Sequence, residues 1–194
     1  MNRPDAALRQ ARAEQLIEAL GGRPLVLVGM MGAGKTTVGR RLAARLNRLF
    51  LDSDEEIEKA AQMSIPEIFE QRGEPEFRAG ETRVIARVLK DQDVVLATGG
   101  GAFVNEETRA LMKTQALTVW LKADVAILFE RVSRRSNRPL LKTANPRATL
   151  EKLIEDRYPI YAEADVTVSS RDVPQDVVAA DVVDAVLNYL KRQD

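Results

Sequence analysis

One run of this 194-residue chain constrains everything around it. "PLVLVG" (24–29) is short and continuously apolar, the pattern of a buried parallel strand. Its last residue opens Gly29-Met30-Met31-Gly32-Ala33-Gly34-Lys35-Thr36, which fits G-x-x-x-x-G-K-[ST]. "KTTVGRRLAARLN" (35–47) follows, with Val38, Leu42 and Leu46 at helical spacing. Strand, glycine loop and helix are the context in which this pattern holds phosphate. The glycines let successive N–H groups turn toward phosphate oxygens, and the helix adds the positive end of its dipole. Lys35 then reaches the β and γ oxygens, and the Thr36 hydroxyl ligates Mg²⁺. An accidental glycine-rich turn is the competing explanation. At average residue frequencies the pattern arises by chance in roughly one chain in a hundred of this length.

The rest of the chain alternates between strand and helix patterns. A helix is expected over 5–20, with Leu8, Leu16 and Leu20 on one side, before Gly21-Gly22 breaks it. "LFLD" (49–52) reads as a second buried strand, with a helix from Asp54 to about Gln62. Ser64 is a candidate cap for a short helix ended by Gly73, and a longer helix runs from Pro75 to Leu89. Two helices with no strand between them read as an insertion on the sheet's edge. Strands at 93–102, 116–123 and 164–170 complete the set, with helices near 106–113, 124–134, up to Ala162, and 174–191. The polar, basic stretch 133–147 reads as a mobile loop. Such alternation implies a three-layer α/β fold, a five-stranded parallel sheet with helices on both faces.

Composition narrows the partners. Lys+Arg and Asp+Glu each number 29, so the balance favours neither nucleic acid nor an anionic membrane. No apolar run approaches the ~20 residues that span a bilayer, and the charged N-terminus is not read as a signal or transit peptide. A cytoplasmic protein is expected. There is no Cys and no His, so acid–base work falls to carboxylates, Lys or Tyr.

In a parallel sheet, ligands gather at the carboxyl ends of the strands. That rule selects Asp52, Asp54 and the triple glycine Gly99-Gly100-Gly101 as neighbours of the phosphate loop. One of the two aspartates can help hold Mg²⁺ through a water, and the other can take a proton from an attacking hydroxyl. Equally, Asp54 can be a helix cap and nothing more. The glycines can be a tight turn, or bare backbone against which a substrate lies. Arg78 in "EPEFRAGE" and Arg157 in "DRYPIY" suit a carboxylate, although a surface ion pair is the commoner fate of an arginine. Arg138, beside Pro139 in the basic loop, can fold over phosphates as a lid charge, and Arg131 precedes that loop.

Taken together, "GMMGAGKTTVGRRLA", "FLDSDEEIE", "SIPEIFEQRGEPEFRAGE", "VLATGGGAF", "RPLL" and "DRYPIYAEAD" resemble the shikimate kinase family, in the family's order over 24–170. The resemblance implies a P-loop fold of the nucleoside monophosphate kinase type and ATP-dependent phosphorylation of the 3-hydroxyl of shikimate, a step toward aromatic amino acids. It implies that Asp54, Arg78, the glycines 99–101 and Arg157 bind shikimate, the arginines at its carboxylate and Asp54 at its hydroxyls. It implies that Gly32, Ala33, Gly34, Lys35, Thr36, Thr37, Arg131 and Arg138 bind the nucleotide. Lys35, Asp54 and Arg138 would act in catalysis, and Thr36, with Asp52 through water, would place Mg²⁺. The layout it implies is an N-terminal helical extension (1–23), a core (24–170), and a C-terminal helix (171–194), forming one domain. The core carries a shikimate-binding insertion (about 54–81) and a lid (about 133–147). A monomer is expected. Residues 1–22 precede the family's usual start, and the last loop, "SSRDVP", leaves the adenine contact unassigned. A kinase for another alcohol such as gluconate, and a non-catalytic ligand sensor, are the rival readings.

Overall fold

The computed structural model describes residues 3–91, 93–134 and 145–193, with side chains from residue 7 onward. The elements, in order, are α1 (Arg3–Leu20), β1 (Leu25–Val28), α2 (Lys35–Arg45), β2 (Leu49–Asp52), α3 (Ser53–Ala61), α4 (Ile65–Val88), β3 (Val94–Ala97), α5 (Glu106–Gln115), β4 (Leu117–Lys122), α6 (Val125–Ser133), α7 (Pro146–Tyr161), β5 (Val166–Ser169) and α8 (Gln175–Leu190). The strands form one sheet in the order β2-β3-β1-β4-β5. Every pairing is parallel, with Leu25 opposite both Val95 and Leu117.

This order follows from burial. β1 and β3 are buried at every position, and β4 at all but Lys122, so they need neighbours on both edges and cover on both faces. The less buried β2 and the alternating β5 take the edges. Because all strands run the same way, their carboxyl ends share one rim. The phosphate loop, Asp52, Thr98-Gly99 and Ser170 all leave the sheet there.

Two expectations are corrected. Leu8 is 57% exposed, whereas Leu16 and Leu20 are buried together with Ala13. Eight residues at ~100° each leave Leu8 about 80° around the helix from Leu16; the buried stripe is 13, 16, 20, facing α8. The strand expected over 93–102 is only four residues long, because Thr98 and the glycines turn the chain out of the ladder. The break at Gly73 is present, but as a kink inside α4: Gly73 has φ 79° and ψ 172°, and Pro75 follows. Such a positive φ suits glycine, and Pro75 cannot donate the helical hydrogen bond that would bridge the break. The Ser64 cap is confirmed, with Ser64 and Glu67 forming a reciprocal capping box.

Candidate active site

The phosphate loop is closed in on itself and braced from below. Lys35 Nζ donates to the carbonyls of Gly29 (2.7 Å) and Met30 (2.9 Å), folding the ammonium across the mouth of the loop. Behind the loop, the Ser170 hydroxyl donates to the Ala33 carbonyl at 2.8 Å. Arg131 ties both together, donating to Ser170 Oγ at 3.0 Å, to the Gly32 carbonyl at 3.4 Å and to the Arg171 carbonyl at 2.8 Å. A lysine whose partners are main-chain carbonyls can exchange them for phosphate oxygens without leaving the site.

At the end of β2 the two aspartates divide the readings that the sequence left open. The helix cap is Asp52, not Asp54: Asp52 Oδ1 accepts from the Asp54 N–H at 3.1 Å. Asp52 Oδ2 accepts from the Thr36 hydroxyl at 2.8 Å. Asp54 stands in the first turn of α3 and lines the same cavity as the loop. That cavity is about 390 Å³ and is lined by Lys35, Thr36, Thr37, Asp52, Asp54, Gly99 and Gly100. Gly32, Gly34 and Arg131 line it as well, while Ala33 is buried beneath.

Among the described residues there is no group of three His, Cys, Asp or Glu side chains that could hold a metal. One hydroxyl and one carboxylate suit Mg²⁺, which keeps several waters and takes further oxygens from phosphates. Thr36 and Asp52 are the residues that would hold it.

Arg78 is held between two carboxylates of its own helix. Its Nη1 donates to Glu81 at 2.7 Å, while Nε and Nη2 reach Glu74 at 3.3 and 3.2 Å. A Cβ on Gly101 would lie 2.7 Å from both terminal nitrogens of Arg78, so only glycine lets the guanidinium approach that backbone. A Cβ on Gly99 would lie 2.7 Å from Asp54 Oδ1 and 3.2 Å from Glu81 Oε1, which puts both carboxylates beside the same glycine. From α7, Arg157 donates to the Gly100 carbonyl at 3.3 Å. Residues far apart in sequence therefore converge on three glycines. Arg138 lies outside the described residues, as does most of the expected lid.

Glu81 was missed by the sequence reading. It is 1% exposed. Burial pushes its carboxyl above the ordinary value of 4.5; the pair with Arg78 opposes the rise, and Asp54 and Glu74 add to it. For Arg78 burial works to lower the guanidinium's pKa, but Glu81 and Glu74 together outweigh burial and raise it. A signal for Glu81 existed: it falls on the buried stripe Phe77, Glu81, Val84, Ile85, Val88, where a carboxylate needs a partner. Gln175 was missed too. It opens α8 and lines the cavity beside Gly34, and its Oε1 is buried without a hydrogen bond among the described residues. Arg171, in the last loop, pairs with Asp181.

A family model described as "Shikimate kinase" matches residues 31–187. A shikimate kinase of Rhodopseudomonas palustris is 55% identical over 185 residues, 95% of this chain and 91% of that protein. One from Nitrobacter winogradskyi is 57% identical over 178 residues, 92% and 81% of the two chains. A solved shikimate kinase from Acinetobacter baumannii, in complex with shikimate, superposes with a TM-score of 0.82 at 41% identity, over 86% of this chain and 93% of that one. A gluconokinase from Sinorhizobium meliloti shares the fold, with a TM-score of 0.57 at 17% identity.

Proposed function

The chain belongs to the shikimate kinase family, and from that premise we propose that its cavity transfers the γ-phosphoryl group of ATP to the 3-hydroxyl of shikimate. The observation that carries this reading is a single cavity lined both by the phosphate loop and by Asp54, Gly99 and Gly100. Donor and acceptor can meet there without crossing solvent.

Each residue has a definite task. Arg78 and Arg157 bind the acceptor's carboxylate, and the bare backbone of Gly99-Gly100-Gly101 admits its ring. Asp54 holds the attacking hydroxyl and takes its proton as the oxygen–phosphorus bond forms. The bond from the γ-phosphorus to the bridging oxygen breaks, and ADP leaves. Lys35 moves from its carbonyl partners to the phosphate oxygens and stabilises the charge that develops on them. Arg138, assigned by sequence alone, supplies a second positive charge from the lid segment. Thr36, with Asp52 through water, would hold Mg²⁺, which would supply positive charge to the phosphates. Positioning of this kind can supply much of the rate enhancement, since phosphoryl transfer asks for little covalent chemistry from the protein.

The layout follows the same reading: extension (1–23), core (24–170) with acceptor insertion and lid, and C-terminal helix (171–194), in one domain. The protein acts on two small molecules, as a cytoplasmic monomer without nucleic-acid or membrane partners. In support, its charges balance, and no helix among the described residues is long and apolar enough to cross a membrane.

The test is ADP release coupled to a spectrophotometric readout, with shikimate and gluconate offered in parallel. Shikimate-dependent release with none from gluconate supports the assignment, and the reverse pattern would replace it with a gluconate kinase.

A further inference from the structure

The three glycines have no side chains with which to fix themselves, so something else must set their geometry. Two of their carbonyls are held by the turns that follow: Gly99 accepts from the Ala102 N–H at 3.3 Å and Gly101 from Val104 at 3.0 Å. The Gly99 N–H donates to Ser53 Oγ at 2.9 Å. The middle carbonyl, of Gly100, has no main-chain partner among the described residues. It accepts instead from two side chains of α7, Arg157 at 3.3 Å and the Tyr161 hydroxyl. The N–H groups of Gly100 and Gly101 donate to nothing among the described residues.

We propose that Tyr161 is a positioning residue for acceptor binding, its hydroxyl clamping the Gly100 carbonyl so that the Gly101 N–H of the same peptide is aimed at the bound acid. The inference rests on the shikimate kinase reading and adds to it a residue that does not itself touch substrate. In a planar trans peptide the C=O and N–H point in opposite directions. Holding the carbonyl toward Tyr161 therefore turns the Gly101 N–H away from α7. Gly101 is also the glycine whose α-carbon lies against the Arg78 guanidinium. A neutral donor and a cationic donor would thus face one anionic ligand.

Tyr161 is built for a fixed position. It is 1% exposed, and its ring packs against those of Phe103 and Trp120, with centroids 6.4 and 6.0 Å away. Its hydroxyl also lies 3.9 Å from Met30 Sδ in the phosphate loop. Burial, opposed by Arg157, pushes its pKa up to about 12, which keeps the hydroxyl a donor throughout the working pH range. The competing explanation is that a buried hydroxyl has only found the nearest carbonyl.

Tyr161→Phe separates the two explanations, because it keeps the ring and removes only the donor. The expected result is a rise of about three- to tenfold in KM for shikimate, with KM for ATP and the unfolding temperature close to wild type. Unchanged KM for both substrates, or a parallel rise in both that tracks a loss of stability, would overturn the proposal. Should the variant not fold, amide NMR of the wild-type protein decides. Saturating shikimate must shift the Gly101 N–H resonance, and an unmoved resonance refutes the clamp. Failure of the underlying assignment would look different, since the wild-type protein itself would then show no shikimate-dependent turnover.

Discussion

Thr36 and Asp52, sixteen residues apart, meet at 2.8 Å where α2 begins and β2 ends. The same Asp52 carboxylate caps α3 through its other oxygen, so the side chain proposed to place Mg²⁺ also stabilises a helix. Two substitutions separate them. Asp52→Asn keeps an oxygen for the cap and loses the charge. It should raise the Mg²⁺ concentration for half-maximal rate by about tenfold or more, with little change in unfolding temperature. Asp52→Ala should add a loss of about 1 kcal/mol in stability. Magnesium titrations beside thermal melts check both arms.

Asp54 follows Asp52 two residues later, in the first turn of α3, and does not serve as the cap. As the base for the acceptor hydroxyl, it should show its effect in turnover. Asp54→Asn is expected to lower kcat by about 10²- to 10⁴-fold while nucleotide binding, measured by calorimetry, holds. Near-normal turnover in the variant would end the base assignment.

Much of this was legible because it is written in local pattern. The phosphate loop announces itself by spacing, and the all-parallel sheet by its apolar runs. The parallel arrangement then predicts that Asp52, Asp54 and the glycines share a rim. What stayed hidden depends on three-dimensional neighbours. Which aspartate caps α3 is decided by one main-chain turn. Glu81 has its partner Arg78 three residues away on α4, a spacing visible in the sequence, but its place beside Gly99 exists only once α4 is docked on the glycines. Gln175 opens the last helix, and nothing local to it reveals that Gly34 lies beside its side chain. Leu8 has a core residue's chemistry but lies about 80° around α1 from Leu16, outside the buried stripe.

Glu81 carries a pH signature. Its folded pKa is raised above the ordinary value of 4.5, so the folded state holds the proton more tightly than the unfolded one. Its stabilising contribution is therefore full below that ordinary value and is lost as pH rises through the elevated folded value. Glu81→Gln removes the titration. The stability of wild type relative to this variant should fall as pH is raised from below 4.5 toward neutrality. Denaturant unfolding of both proteins across that interval tests the sign, and a difference that grows in favour of wild type would contradict it. At neutral pH the variant should also bind shikimate more weakly, because Arg78 loses the partner that orients it.

Gln175 presents a buried oxygen that lacks a hydrogen-bond partner among the described residues, beside Gly34. Lining the cavity, that acceptor would be satisfied by an N–H of a bound nucleotide such as the amino group of adenine. Gln175→Leu should raise KM for ATP by roughly two- to tenfold, the worth of one neutral hydrogen bond. It should leave KM for shikimate alone and should not lower stability, since it removes an unpaired polar atom. Reduced preference for ATP over GTP in the variant would show the same contact from the ligand's side. Unchanged nucleotide selectivity and KM would remove Gln175 from the site.

Gly101 offers the sharpest steric test. Its φ is not in the positive range that strains other residues, so alanine meets no backbone penalty. The added Cβ would instead lie 2.7 Å from both terminal nitrogens of Arg78. A flexible side chain would swing away at little cost, but this one is held by Glu81 at 2.7 Å. Gly101→Ala should therefore displace the guanidinium from the acceptor and raise KM for shikimate by about tenfold, roughly 1.4 kcal/mol, without altering KM for ATP. In an Arg78→Lys background the fork is already gone, so the alanine should cost much less. A double-mutant cycle measures that difference. Strictly additive losses would mean that the glycine serves the turn alone and that its closeness to Arg78 has no part in binding the acid.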